Sequence, residues 1–260
     1  MSKRALRIAR NIAIPTLAAT YATHLGLKHL EEKYPALPPA AAGSKALSTP
    51  SLPSQRCAYT DIYSARIPLA ALSSRIPEHA RCRRYALDEA WAQALLSSKV
   101  LRSEASLYGL FTKGSYEPGD VGANGFGIHW KTGARRKLLN GLFSVEAEPA
   151  QNEGYGLLIS WSMADAPRVF FERIARWGYP WRLMSGGRHE MSVSEPFEVK
   201  GEGRFVEVRF SAAHDYEVVP GEGNNQKILP EWSNRLHRGF ARFILDCAVR
   251  EVVREFEGPQ

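Results

Sequence analysis

The chain has 260 residues, is 44% hydrophobic and carries a formal charge of +7, which suits one domain with a sizeable core plus an appendage. The charge is local, because residues 1–50 hold seven basic against two acidic side chains while the remaining 210 hold 27 against 25. A near-neutral body without a zinc-finger or RNA-recognition signature argues against a nucleic-acid module, which needs its cations on the binding surface.

Residues 1–10 are basic, and Asn11–Leu27 carries no formal charge with His24 neutral. Seventeen helical residues span about 25 Å, the short limit for crossing a bilayer, and Pro15 weakens the run. Three readings stay open for residues 1–33. A short signal anchor fits the basic start and apolar run, and would associate the protein with a membrane through residues 1–30. A mitochondrial presequence fits Arg4, Arg7 and Arg10 with no acid before Glu31. An ordinary helix, packed on the body or free in solvent, is the third. Residues 34–55 contain Pro35, Pro38, Pro39, Pro50 and Pro53 among Ala, Gly and Ser, which predicts a tether rather than core. The ligand-binding domain is then expected over residues 56–260.

Strand alternation begins at Arg56–Ile67, with Cys57, Tyr59, Asp61, Tyr63, Ala65 and Ile67 on one face. A helix is predicted near Asp88 as N-cap, burying Trp91, Ala94 and Leu95, and a shorter one over Arg102–Phe111. The glycine-rich 114–127 stretch breaks regular structure. Phe126, Ile128 and Trp130 then suggest a strand, as does Leu138–Ala147. Tyr155–Met163 alternates strongly, placing Leu157, Ile159 and Trp161 together. Asp165 and Pro167 open a helix to Arg176, with a strand over Arg168–Ile174 as the alternative. The aromatic run Trp177-Gly-Tyr-Pro-Trp181 reads as a loop.

Two alternating strands and a helix close the chain. His189, Met191, Val193, Phe197 and Val199 share one parity of Arg188–Val199, with Arg188 and Glu190 assigned to solvent. Val206, Val208, Phe210, Ala212, His214, Tyr216 and Val218 share one parity of Arg204–Val219. After a turn at Gly221–Asn225, Trp232, Leu236, Phe240, Phe243, Ile244 and Cys247 form a helical stripe extending to about Phe256. The expected fold is α+β, a curved antiparallel sheet gripped by a long C-terminal helix.

The opening Asp61-Ile-Tyr-Ser-Ala-Arg-Ile-Pro68, the segment Ala90–Tyr108, and His237-Arg238 entering the last helix resemble patterns of the helix-grip superfamily. That superfamily includes START lipid-transfer domains, birch-pollen-allergen-like proteins and polyketide cyclases of secondary metabolism, and the chain looks like a divergent fungal-type member. The resemblance covers about 200 residues in outline. It implies a fold and an internal cavity for a small hydrophobic ligand, without carrying over catalytic residues.

The candidate chemistry is therefore read from the residues. His189 and His214 each lie on the apolar parity, where an imidazole serves as general acid or base, or as a core histidine bonded to backbone. Asp61, between Tyr59 and Tyr63, is a desolvated proton donor if it faces inward, or a solvated edge residue if it does not. Trp130, Trp161, Trp177, Tyr179, Trp181, Phe210, Tyr216 and Phe240 join the two tyrosines as candidate pocket walls, or as plain core. Residues 177–181 fit a gate.

Other signatures are weak. Gly122-x-x-Gly125-x-Gly127 lacks the strand–helix context of a nucleotide loop, and Arg135-Arg136-Lys137 reads as a solvated turn. Cys57, Cys82 and Cys247 have no metal-like spacing, and their odd number argues for a reducing compartment, with one pair still possible in an oxidising lumen. No metal or other cofactor is implied, and oligomeric state is unreadable. The expected functions are cofactor-free cyclisation, dehydration or isomerisation of an aromatic or polyketide-like molecule, or non-catalytic carriage of a lipid or quinone at a membrane.

Overall fold

The structure, a computed structural model, describes residues 3–76, 85–113, 115–129, 131–152 and 154–258; side chains of 3–14, 41, 42 and 113 are left aside. A curved, unclosed seven-stranded antiparallel sheet forms the body. Its strands are β1 (Gln55–Pro68), β2 (Lys137–Leu138), β3 (Phe143–Ala147), β4 (Leu157–Ser162), β5 (Gly186–Val193), β6 (Phe197–Val199) and β7 (Gly203–Glu217). The order is β1-β7-β5-β4-β3-β2, with β6 extending the β5 side of β7. The predicted strand 188–199 is thus two strands. Pro196, which has no N–H for the ladder, lies in the break, and Phe197 emerges exposed instead of sharing the buried face.

Alternation sends Ile159, Met191, Phe210 and Val208 to the concave face, where they join Trp91, Leu95, Leu96, Ile244 and Leu245 in the main core. The helices there are α4 (Leu69–Ser73), α5 (Ala86–Leu96), α6 (Lys99–Lys113) and α8 (Glu231–Glu257). Asp88 sits inside the first turn of α5, not at its N-cap, and its carboxylate accepts from the Val193 N–H at 2.8 Å. Between β4 and β5 the chain forms helix α7 (Asp165–Arg176), the predicted helix rather than the alternative strand. Residues 126–129 form a loop instead of the expected strand, with Phe126 buried and Ile128 exposed. Trp130 and Cys82 lie outside the described residues.

The largest departure is on the convex face. The proline-rich segment lies against the sheet as a strap carrying α2 (Pro39–Ala42) and α3 (Lys45–Ser48). Leu47 is buried with Leu158 and Ala213, and the Leu37 N–H donates to the Ile62 carbonyl at 2.9 Å. Arg188 and Glu190 are consequently buried rather than solvent-facing. Glu190 accepts from the Ser44 N–H and Asn152 Nδ2, and burial is the main influence raising its carboxyl above the ordinary range.

Helix α1 (Lys3–Lys33) crosses the outside of α8. Glu31 receives a bidentate pair from Arg235, Lys33 reaches Asp246 at 2.7 Å, and Leu27 overlies Gly239, where a Cβ would stand 2.0 Å from its methyl carbon. No helix among the described residues is long and apolar enough to cross a membrane.

Candidate functional site: an apolar cavity beneath the last helix

A cavity of about 390 Å3 lies between the concave face and α8. Its floor comes from β4, β5 and β7, through Ile159, Trp161, His189, Met191, Phe210 and Ala212. His237, Phe240, Ala241 and Ile244 of α8 form the roof, and Leu101, Glu104 and Tyr108 of α6 one wall. Each strand contributes every second residue, the consequence of the period-two pleat. The lining is predominantly carbon, as expected of a site that excludes water and holds an apolar guest.

Of the expected site residues, His189, Trp161, Phe210 and Phe240 meet at this cavity. His189 stands opposite Ile159 and Ala212 in the ladder. Its ring stacks on Phe210 at 5.1 Å and lies nearly parallel to Trp161 at 6.4 Å, with Phe143 edge-on at 5.5 Å. Burial, with a smaller contribution from His237, pushes its pKa down to about 3. The ring is therefore neutral at physiological pH. His189 Nδ1 and Trp161 Nε1 are buried polar atoms with no hydrogen-bond partner among the described residues.

Trp161 can lie flat on the sheet because its ladder partner is Gly187. A Cβ built there would stand 2.2 Å from the Ala213 carbonyl oxygen and 2.9 Å from Trp161 Nε1. Gly187→Ala is expected to cost about 1–3 kcal/mol by overpacking, read as a lower urea midpoint. An unchanged midpoint would mean that the floor yields freely.

His214 is deeper, on the same parity but outside the lining. It stacks on Tyr59 at 4.4 Å and meets the His237 ring edge-on at 4.8 Å. Burial, then His237, pushes its pKa down to about 2. Tyr59 donates to Asn234 Oδ1, and Tyr216 Oη accepts from the Leu229 N–H. Asp61 faces α8, where Arg238 Nε approaches Oδ1 at 3.2 Å. Burial raises the Asp61 carboxyl and Arg238 opposes the rise. Tyr63 is buried beneath the Arg242 guanidinium, 4.2 Å from its ring centre. Asp61, Tyr59, Tyr63, Tyr216 and His214 thus form a polar and aromatic layer beside the cavity, holding α8 to β1 and β7.

Tyr179 and Trp181 belong to an aromatic row running from Phe171 of α7 to Trp232 of α8, with centroid spacings of 6.4, 5.3 and 6.1 Å. Trp177 points to solvent. Two cavity residues escaped the sequence reading. His237 falls next to the α8 stripe rather than on it, yet it roofs the cavity. Glu104 was hidden in a predicted helix whose inward face is defined by packing; burial is the sole influence on its carboxyl and raises it. Among the described residues no group of three or more His, Cys, Asp or Glu side chains is placed to share a metal ion. The chain matches no protein-family model and no curated protein.

Proposed function

We propose that this protein binds a small hydrophobic molecule, aromatic or polyketide-like, in the cavity beneath α8. The observation that supports this reading is the cavity itself: 390 Å3 of mostly carbon-lined space between the sheet and α8. Flat rings on the guest match the walls of Trp161, Phe210 and Phe143. An imidazole with a pKa near 3 is a weak base, which favours holding over proton transfer. The holding function alone is that of a lipid or quinone carrier.

Turnover is the second reading, and Glu104 is the observation that favours it. A carboxyl with a raised pKa shares the cavity with the imidazoles of His189 and His237, a pairing of acid and base suited to cofactor-free cyclisation, dehydration or isomerisation. His214 and Asp61 would support that chemistry through α8, since neither lines the cavity.

Mass spectrometry of molecules extracted from the purified full chain should identify an apolar guest. Ala241→Trp, which fills the roof, should weaken binding of a naphthylamine dye by about tenfold or more, while His189→Phe, which keeps the ring packing, should leave it unchanged. Undiminished dye binding in the folded Ala241→Trp protein would sink the cavity reading. For turnover, Glu104→Gln should abolish the reaction and leave dye affinity intact.

A further inference from the structure

Around the cavity mouth the surface is unusually apolar. Tyr108, Ala164 and Phe240 line the opening, and each belongs to or adjoins a helix with exposed apolar side chains. Phe111 of α6 is 85% exposed, and Trp232, Leu236 and Phe243 of α8 are also open to solvent. Helix α7 is the clearest case. Ala166, Val169, Phe170, Arg173 and Trp177 follow the helical repeat along its outward side, with Phe170 57% and Trp177 77% exposed. Its inward side is apolar too, through Phe171, Ile174 and buried Ala175.

Such a helix does not arise from core packing, because the outward residues touch no core. Charge distinguishes its occupant. Arg168 is paired with Asp165 at 2.9 Å, and Glu172 is engaged by buried Arg182 at 2.8 Å. Arg173 remains exposed beside Phe170 and Trp177, and Arg176, also exposed, forms an ion pair with Glu172 at 3.8 Å, a carboxylate already shared with Arg182. Aromatic side chains bordered by arginines that outnumber the neighbouring carboxylates Asp165 and Glu172 are complementary to the boundary between acyl chains and anionic headgroups. The face is also anchored to the body, since Arg182 joins α7 to Glu222 and Lys227 Nζ donates to the Ala175 carbonyl.

We propose that α7 is a membrane-docking helix that seats in an anionic phospholipid surface, with Val169, Phe170 and Trp177 below the phosphates and Arg173 and Arg176 at their level. Docking there brings the cavity mouth to the bilayer, so that an apolar guest passes between cavity and lipid without crossing water. The face is defined by exposed side chains and needs no guest. Its test is therefore separate from the dye and extraction measurements that test the cavity.

The full chain is floated with vesicles of phosphatidylcholine alone and with vesicles containing phosphatidylserine. It should float with the second set. The combined variant Val169→Ser, Phe170→Ser, Trp177→Ser should lose about tenfold or more of the bound fraction. Arg173→Gln and Arg176→Gln should each lose about fivefold, on the phosphatidylserine vesicles alone. The arginine variants keep the apolar face, so they test docking even if the serine variant folds poorly. The proposal is overturned if the parent does not float, or if the folded serine variant floats as well as the parent, which would move the contact to another surface such as α1. It is equally overturned if the parent self-associates without vesicles and the serine variant does not, because a second copy would then cover the face.

Discussion

Arg188→Ala is expected to destabilise the fold by about 3–5 kcal/mol, the range for stranding one partner of a buried ion pair. Arg188 and Asp215 are almost fully buried and form a bidentate pair, Nη1–Oδ2 at 2.6 Å and Nη2–Oδ1 at 2.8 Å. The third nitrogen, Nε, donates to the Leu47 carbonyl at 2.7 Å. One guanidinium therefore joins adjacent strands β5 and β7 and fastens the strap over them. Removing it leaves a buried carboxylate and a strap carbonyl without their donors. Urea denaturation should show the loss, and limited proteolysis should cut the strap sooner. Replacing both partners, Arg188→Met with Asp215→Leu, should cost less than Arg188→Ala because no lone charge stays buried. A single variant within about 0.5 kcal/mol of the parent, the range of ordinary surface substitutions, would show that the pair holds nothing.

The second large effect is acid lability from the buried imidazoles. The folded pKa of His214, about 2, lies below its ordinary value of 6.5, so the unfolded chain binds the proton more readily. Its contribution to stability is complete above about pH 6.5 and is lost as pH falls toward about 2. At pH 5 the loss from His214 is about 2 kcal/mol, from 1.5 pH units at 1.36 kcal/mol each. His189, whose folded value is about 3, adds a nearly equal loss at pH 5, because both folded values lie well below that pH. Carboxyls act in the opposite sense: burial, the leading influence, raises Asp88 to about 6 and also raises Asp61, Glu104 and Glu190. Their protonation offsets part of the histidine loss. Comparing the parent with His214→Phe, which keeps the stack on Tyr59, isolates the imidazole. Between pH 8 and pH 5 the variant should gain about 2 kcal/mol relative to the parent. Parallel pH profiles would mean that His214 titrates in the fold at its ordinary value, as a ring that meets water does.

Much of the fold was legible because a strand with one buried side writes its pleat into the sequence. The alternation over 56–67, 155–163 and 204–219 located β1, β4 and β7 within a few residues, and Asp165 with Pro167 located α7. The cavity floor followed, since His189, Trp161 and Phe210 lie on the parities that face α8. Alternation misleads where both faces are covered. Arg188 and Glu190 read as solvent-facing because charge at the outward parity of an antiparallel strand ordinarily meets water; here the strap supplies the partners that let them be buried.

What the sequence by itself determined is local: the period of each strand, the long closing helix, though Trp232, Leu236 and Phe243 of its expected apolar stripe are exposed, and the set of side chains available to wall a cavity. Tertiary structure alone decided which of those side chains meet. It placed Asp61 against Arg238 rather than in open space, brought Glu104 and His237 to the cavity, and turned a proline-rich stretch into a cover for the sheet. The physical reason is that pleat and helical repeat depend on neighbours in the chain. Burial, ion pairing and the protonation they impose depend on residues far along the chain, 27 positions for Arg188 with Asp215 and 177 for Asp61 with Arg238, and no local pattern records them.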